Sequence, residues 1–394
     1  MPFRRLARSA LEVLEVPRDL LLGRYPAFVT GGPLPHGDVP VFVFHSVEPL
    51  TFGRQMRYLA DNGYVSLSAD EYYQGLTGAR PFPERAVLLT FDDGRGSLWS
   101  VGAPLLRRHG LKGVVFLVPA RMRSRPGAPA PTLDDLEAER VPAATLLARE
   151  EGDGAFLSWE EVAVLARTGV FDFESHTLTH ARIHVAPTLA GFVHPESRRG
   201  YAAMDVPLIA DGPRDLLAED VPLGTPILRS APRTSEALRF FEEPAVRSAC
   251  VAAVAAGGGE AFFASPDWHS RLRRLVARQT IRGRIEIPEE REAALKREMA
   301  EARRLIEERT GRPATHLCYP WHTGGPTARR LAREAGYLTA FCGKVPGVVL
   351  TRAGGDPQAI ARIGDDYVER LPGRGRASLV AVLRRKWARR LRGA

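Results

Sequence analysis

Cysteine is scarce: Cys250, Cys318 and Cys342 are the only thiols in 394 residues. Three scattered thiols exclude a disulfide framework and a thiolate zinc site, and they fit free or buried cysteines in a reducing compartment. Long apolar runs are missing too. No stretch approaches the roughly 18 apolar residues that a membrane-spanning helix needs. The opening MPFRRLARSALEVLEVP has the arginines of a secretion signal, but Glu12 and Glu15 break its apolar core. It reads as uncleaved, and the protein as cytoplasmic. No internal repeat is visible. Nor does a zinc finger, an RNA-binding signature or an aromatic–basic platform accompany the formal charge of +9. Much of that charge sits at the two ends, so nucleic acid is not an expected partner.

What is present is ordinary globular material, 44% hydrophobic and 26% charged, enough for one large α/β domain with insertions or for two domains. Buried-strand patterns at VPVFVFHSV (39–47), AVLLTFDDG (86–94), GVVFLVP (113–119) and VFDFESH (170–176) alternate with helical ones. SWEEVAVLARTG, for instance, starts on a Ser158–Glu161 capping pattern and stops at Gly169. The beat resumes after a long amphipathic helix with THLCYPW, a helix from Thr327 to Glu334, and LTAFCG. Repeated strand–helix alternation predicts a mainly parallel α/β fold. Residues 186–285 lack the beat and read as an insertion. The expected organisation is therefore an N-terminal amphipathic helix and linker (1–37), a first barrel part (38–185), the insertion, a second barrel part (286–368), and a basic C-terminal helix (369–394).

Three strand ends carry candidate chemistry. Asp92 and Asp93 follow an apolar strand, and two adjacent carboxylates need water, a proton or a cation to offset their repulsion. His176 and His180 follow another strand at i, i+4 spacing, which lets two imidazoles share a metal. In parallel barrels this face collects the reactive groups. One carboxylate and two histidines leave coordination positions open, as hydrolytic metal sites require. LCYPWHTGG (317–325) can present a backbone N–H to an oxyanion and let a substrate approach. His45, ending the first strand, suits either a pocket lining or a satisfied core histidine.

Together, TFDDG and SHTLTH in this order, each after a strand, resemble the polysaccharide deacetylases, carbohydrate esterase family 4 with its nodulation-type domain. The VFVFHSV opening and the QMRYLADNGY helix resemble its exported poly-N-acetylglucosamine deacetylase branch. The resemblance covers roughly residues 38–185 and 285–365. It implies a distorted (β/α) barrel with fewer than eight regular strands, and a hydrolase removing an N-acyl group from an amino sugar or glycan. By position it implies Asp92 as the base and Asp93, His176 and His180 as ligands of a divalent metal, zinc being expected. Trp321 falls where an aromatic residue contributes a backbone N–H to the oxyanion hole. His45, Tyr319 and Pro320 are the expected substrate contacts.

Two departures stand out. Cys318 lies near where many members carry an arginine against the base, so the tuning of Asp92 is expected from the metal or from an arginine of the insertion. No histidine follows His322, so His322, with His269 of the insertion behind it, is the expected general acid. The alternatives are an O-acetyl esterase on the same site, or a catalytically weakened carbohydrate-binding barrel. In the C-terminal tail Leu379, Leu383, Trp387 and Leu391 form an apolar stripe beside a basic face. That stripe suits either packing on the domain or peripheral contact with a membrane bearing a lipid-linked sugar.

Overall fold

The computed structural model describes residues 18–19, 22–125, 127, 129–149, 154–212, 214–343, 345 and 347–391. The N-terminal amphipathic segment expected over 1–37 falls largely outside these residues. Eight parallel strands form the main sheet: β1 (Val41–Phe44), β2 (Val65–Ser66), β3 (Ala86–Phe91), β4 (Gly113–Leu117), β5 (Phe171–Ser175), β12 (His316–Cys318), β13 (Thr339–Phe341) and β14 (Ile363–Gly364). Their order is β13-β12-β5-β4-β3-β1-β14, with β2 joined to β3. Only six strands exceed two residues, so the barrel is irregular, as the sequence suggests. Main-chain bonds from Cys342 to Ile360 and from Ile360 to Ala340 tie β13 to the chain just ahead of β14, bringing the two edges together.

The strands read as they do because both faces are covered. Every residue of β3 and β4 is buried, and fully covered parallel strands carry unbroken β-branched and aliphatic runs. Alternate residues Leu88, Val114, Phe116, Cys318 and Phe341 pack with Tyr72 and Leu76 of the helix Ala69–Leu76. The opposite faces, including Leu89, Phe91, Val115, Leu117, Phe171 and Phe173, pack in the larger core. The helix Trp159–Thr168 has the predicted capping box, with the Ser158 hydroxyl accepting from Glu161 N–H and Gly169 left-handed at its end.

Between β5 and β12 the chain forms three antiparallel pairs. These are β6 (Arg182–Phe192) with β9 (Pro226–Pro232), β7 (Ile209–Asp211) with β8 (Arg214–Leu216), and β10 (Phe240–Glu242) with β11 (Gly283–Ile285). The helices Pro244–Ala256 and Trp268–Ala277 complete a separate apolar cluster there around Phe192, Cys250 and Leu272.

The C-terminal helix Leu379–Leu391 lies against the domain. Three of its basic residues are engaged: Arg385 pairs with Glu369, Lys386 with Asp366, and Arg389 with Asp365 and Asp366. Val382 is buried and Leu379 packs partly on the core, so the helix is held through its basic side as well as through apolar contacts. Among the described residues no helix is long and apolar enough to cross a membrane.

Candidate active site

The site is assembled at the C-terminal ends of the parallel strands. Register places Phe44 of β1 opposite Phe91 of β3, so His45 and Asp92 leave the sheet side by side. β5 ends at Ser175, and His176 N–H donates to Leu117 O of β4. Asp93, Thr177, His180, Trp321 and His322 all have positive φ, between 57° and 70°. L-residues adopt this conformation at a cost, and such residues cluster where surrounding contacts hold a functional geometry. Gly94 is left-handed as well, and a Cβ there would meet Leu117 at 2.8 Å, which accounts for the glycine after the two aspartates.

Asp93 Oδ1 lies 3.6 Å from His176 Nε2 and 3.6 Å from His180 Nε2. These gaps are too long for hydrogen bonds, but ligands about 2.1 Å from a tetrahedral ion stand about 3.4 Å apart. All three side chains are buried. His176 Nδ1 is 2.8 Å from Cys318 O. Donating its N–H there leaves the Nε2 lone pair facing Asp93, the usual arrangement behind a metal-ligating histidine. Burial drives the His180 imidazole down to about 3, against the pull of Asp93, so its ring is neutral and its lone pair available. Its Nδ1 is buried without a hydrogen-bond partner. The donor set fits a divalent cation on distance, burial and protonation state.

Asp92 is held differently. Arg362 Nη1 donates to Oδ1 at 2.6 Å and Nη2 to Oδ2 at 2.8 Å, while Arg362 Nε donates to Cys342 O at 2.9 Å. Burial alone would raise the Asp92 carboxyl, but the Arg362 guanidinium outweighs it and holds it well below the usual carboxylate range. An arginine therefore does grip this carboxylate, and it comes from the segment ahead of β14 rather than from the insertion. Asp93 has its own arginine. Arg95 donates to Oδ2 through Nε at 2.9 Å and Nη2 at 2.6 Å, leaving Oδ1 for the histidine side. The insertion covers that arginine, with the Tyr201 ring centroid 3.2 Å from its guanidinium carbon.

The remaining expected residues divide. His45 is half-exposed, with Nε2 4.0 Å from Asp92 Oδ2. The Trp321 ring lies 4.9 Å from that of His180, and its indole N–H points to His180 O at 3.4 Å. The Arg182 guanidinium lies over the Trp321 ring, 4.8 Å from its centroid. Tyr319 and Pro320 are both buried, and Tyr319 packs with Leu317, Leu331 and Tyr337. Alternation explains this, since Leu317 and Tyr319 share the face of the chain opposite Cys318. His322 reaches the site, with Nδ1 3.2 Å from Arg362 Nη2. Burial and that guanidinium press its imidazole down to about 4, which favours the neutral ring at neutral pH. His269 packs against Phe192 and Trp268 within the insertion.

Residues 79–196 match the polysaccharide deacetylase family. That stretch contains Asp92, Asp93, His176 and His180. A Bacillus subtilis (strain 168) protein, YxkH, is 31% identical over 88 residues, 20% of this chain and 32% of its own length. The poly-beta-1,6-N-acetyl-D-glucosamine N-deacetylase of Escherichia coli (strain K12) is 31% identical over 136 residues, 34% of this chain. The aligned part is 18% of that relative, so this chain matches only a minor share of either relative's length. Among solved structures, the Aggregatibacter actinomycetemcomitans de-N-acetylase aligns with TM-score 0.49 at 15% identity, over 82% of this chain and 94% of its own. The BpsB deacetylase domain of Bordetella bronchiseptica gives 0.49 at 16%, over 84% and 98%.

Proposed function

We propose that the chain removes the N-acetyl group from an amino sugar within a glycan, at a divalent-cation site made by Asp93, His176 and His180, with zinc the expected ion. The observation that carries this reading is the convergence of Asp93 Oδ1 and two histidine Nε2 atoms beside a separately held carboxylate, Asp92. The family match over residues 79–196 and the name of the Escherichia coli relative support the substrate class.

When bound, the cation supplies Lewis-acid polarisation of the acyl carbonyl and acidifies water. The rest falls to side chains of this protein. Asp92 is ionised and fixed in direction by its two bonds to Arg362, and it accepts the proton of the attacking water. The Trp321 N–H is the proposed backbone donor to the developing oxyanion. A proton must then reach the leaving amine. His45, open to solvent beside Asp92, is the better-placed donor, because His322 is buried against Arg362.

Release of acetate from N-acetylglucosamine oligomers, measured with and without chelator, tests the proposal. Chelator-sensitive release that returns on adding zinc is expected. Release from O-acetylated sugars alone would assign the esterase reaction instead, and no release from either, with the metal bound, would leave a binding module.

A further inference from the structure

The two threonines of HTLTH have no part in the chemistry above, yet they sit between the two histidines and beside strained backbone. Thr177 has φ 60° and His180 φ 57°. The long helix Pro288–Thr310 passes directly behind this loop, and one of its residues makes three bonds to it. Leu178 N–H donates to the Glu298 carbonyl oxygen at 3.0 Å. Thr179 N–H donates to Glu298 Oε2 at 3.0 Å, and the Thr179 hydroxyl to Oε1 at 2.6 Å. Other ties to the loop's main chain are Ala120 N–H to Leu178 O at 3.0 Å and the Trp321 indole N–H to His180 O at 3.4 Å. His176 is separately fixed through Cys318 O, but the His180 ring has no partner at Nδ1. Its placement therefore rests on the Trp321 contacts and on the backbone that Glu298 helps to hold.

We infer that Glu298 is a positioning residue for the metal site, a carboxylate borne by the helix Pro288–Thr310 that locks residues 178 and 179 so that His180 faces Asp93. The inference rests on the metal-site reading above. Groups that orient metal ligands from behind typically alter affinity by about 10–100-fold when removed.

The test is metal binding by the full chain, stripped of metal and titrated with Zn²⁺ against a chromogenic chelator, with the Co²⁺ absorption spectrum as second readout. Glu298→Ala should bind Zn²⁺ about 10–100-fold more weakly and shift the Co²⁺ bands. Glu298→Gln should stay near the parent, because its amide oxygen can accept Thr179 N–H while its NH₂ donates to the Thr179 hydroxyl. Thr179→Val, which removes one bond, should move the same way by less, and it stands in if Glu298→Ala does not fold. Parent-like affinity and Co²⁺ spectrum in folded Glu298→Ala, or in Thr179→Val, would overturn the inference, as would Glu298→Gln binding as weakly as Glu298→Ala. A parent chain that takes up no metal would instead overturn the metal-site reading, which His180→Ala tests separately.

Discussion

Replacing Arg362 with Met would leave Asp92 buried and ionised with its counter-charge gone. Arg362 is fully buried, and its guanidinium makes both bonds to Asp92 together with contacts to Thr90 and Cys342. Removing one member of a buried ion pair costs about 3–5 kcal/mol, because the remaining charge keeps its desolvation penalty. With an unfolding entropy of about 2.1 cal/mol/K per residue, the chain's 394 residues give ~0.8 kcal/mol/K, so melting should fall by about 4–6 °C. The pH dependence has a definite sign. In the parent the Asp92 pKa is depressed, so the pair's stabilisation is present above the unfolded carboxylate pKa and lost only as pH falls through the lower folded value. In Arg362→Met burial acts unopposed by that guanidinium and raises the same carboxyl. The variant's deficit should then shrink between about pH 8 and about pH 5, as Asp92 takes up a proton. Scanning calorimetry with chelator present, across that range, measures this. Asp92→Asn combined with Arg362→Met should recover most of the lost stability, since no unpaired charge remains. A single variant that melts with the parent, or a double variant no better than the single, would refute the reasoning.

His180→Ala should lose bound metal as well as turnover, measured by elemental analysis of purified protein, because a third of the donor set is removed. Asp93→Asn should weaken Zn²⁺ binding in a competition titration, since it removes the negative charge that faces both histidines. Truncation after Ser378 should lower the melting temperature, because Asp365, Asp366 and Glu369 lose the partners that Arg385, Lys386 and Arg389 provide. Liposome flotation of that variant beside the full chain would show whether the tail also meets lipid.

The parts legible in the sequence are the local ones. Each of the six longer strands ends within a few residues of where its apolar run stops, while the two-residue β2 and β14 leave no such run; Asp92, Asp93, His176 and His180 lie inside short motifs whose spacing carries chemistry. Arg362 was illegible for the opposite reason. It stands 270 residues from Asp92 and belongs to no motif, and only the closing of β14 against β1 brings it in. Arg95 was in plain view two residues after Asp93, and its sign should have suggested a partner for one of the two carboxylates. Period-two alternation with Leu317 puts Tyr319, an expected substrate contact, on the core side of the chain. The same alternation puts Cys318 on the site side, where its sulfur lies 3.8 Å from Asp92 Oδ2. The hold of Glu298 on Thr179 could not be read at all, since it depends on how the helix after the insertion docks.

The division of labour between the adjacent aspartates is the centre of this account, and Asp92→Asn tests it most directly. Metal content and acetate release should be measured on the same preparation, with an N-acetylglucosamine oligomer as substrate. The variant should keep its metal while turnover falls by about 10²–10⁴-fold, because the metal ligands stay and the proton acceptor is removed. Turnover equal to the parent, or loss of metal equal to that in Asp93→Asn, would contradict the assignment.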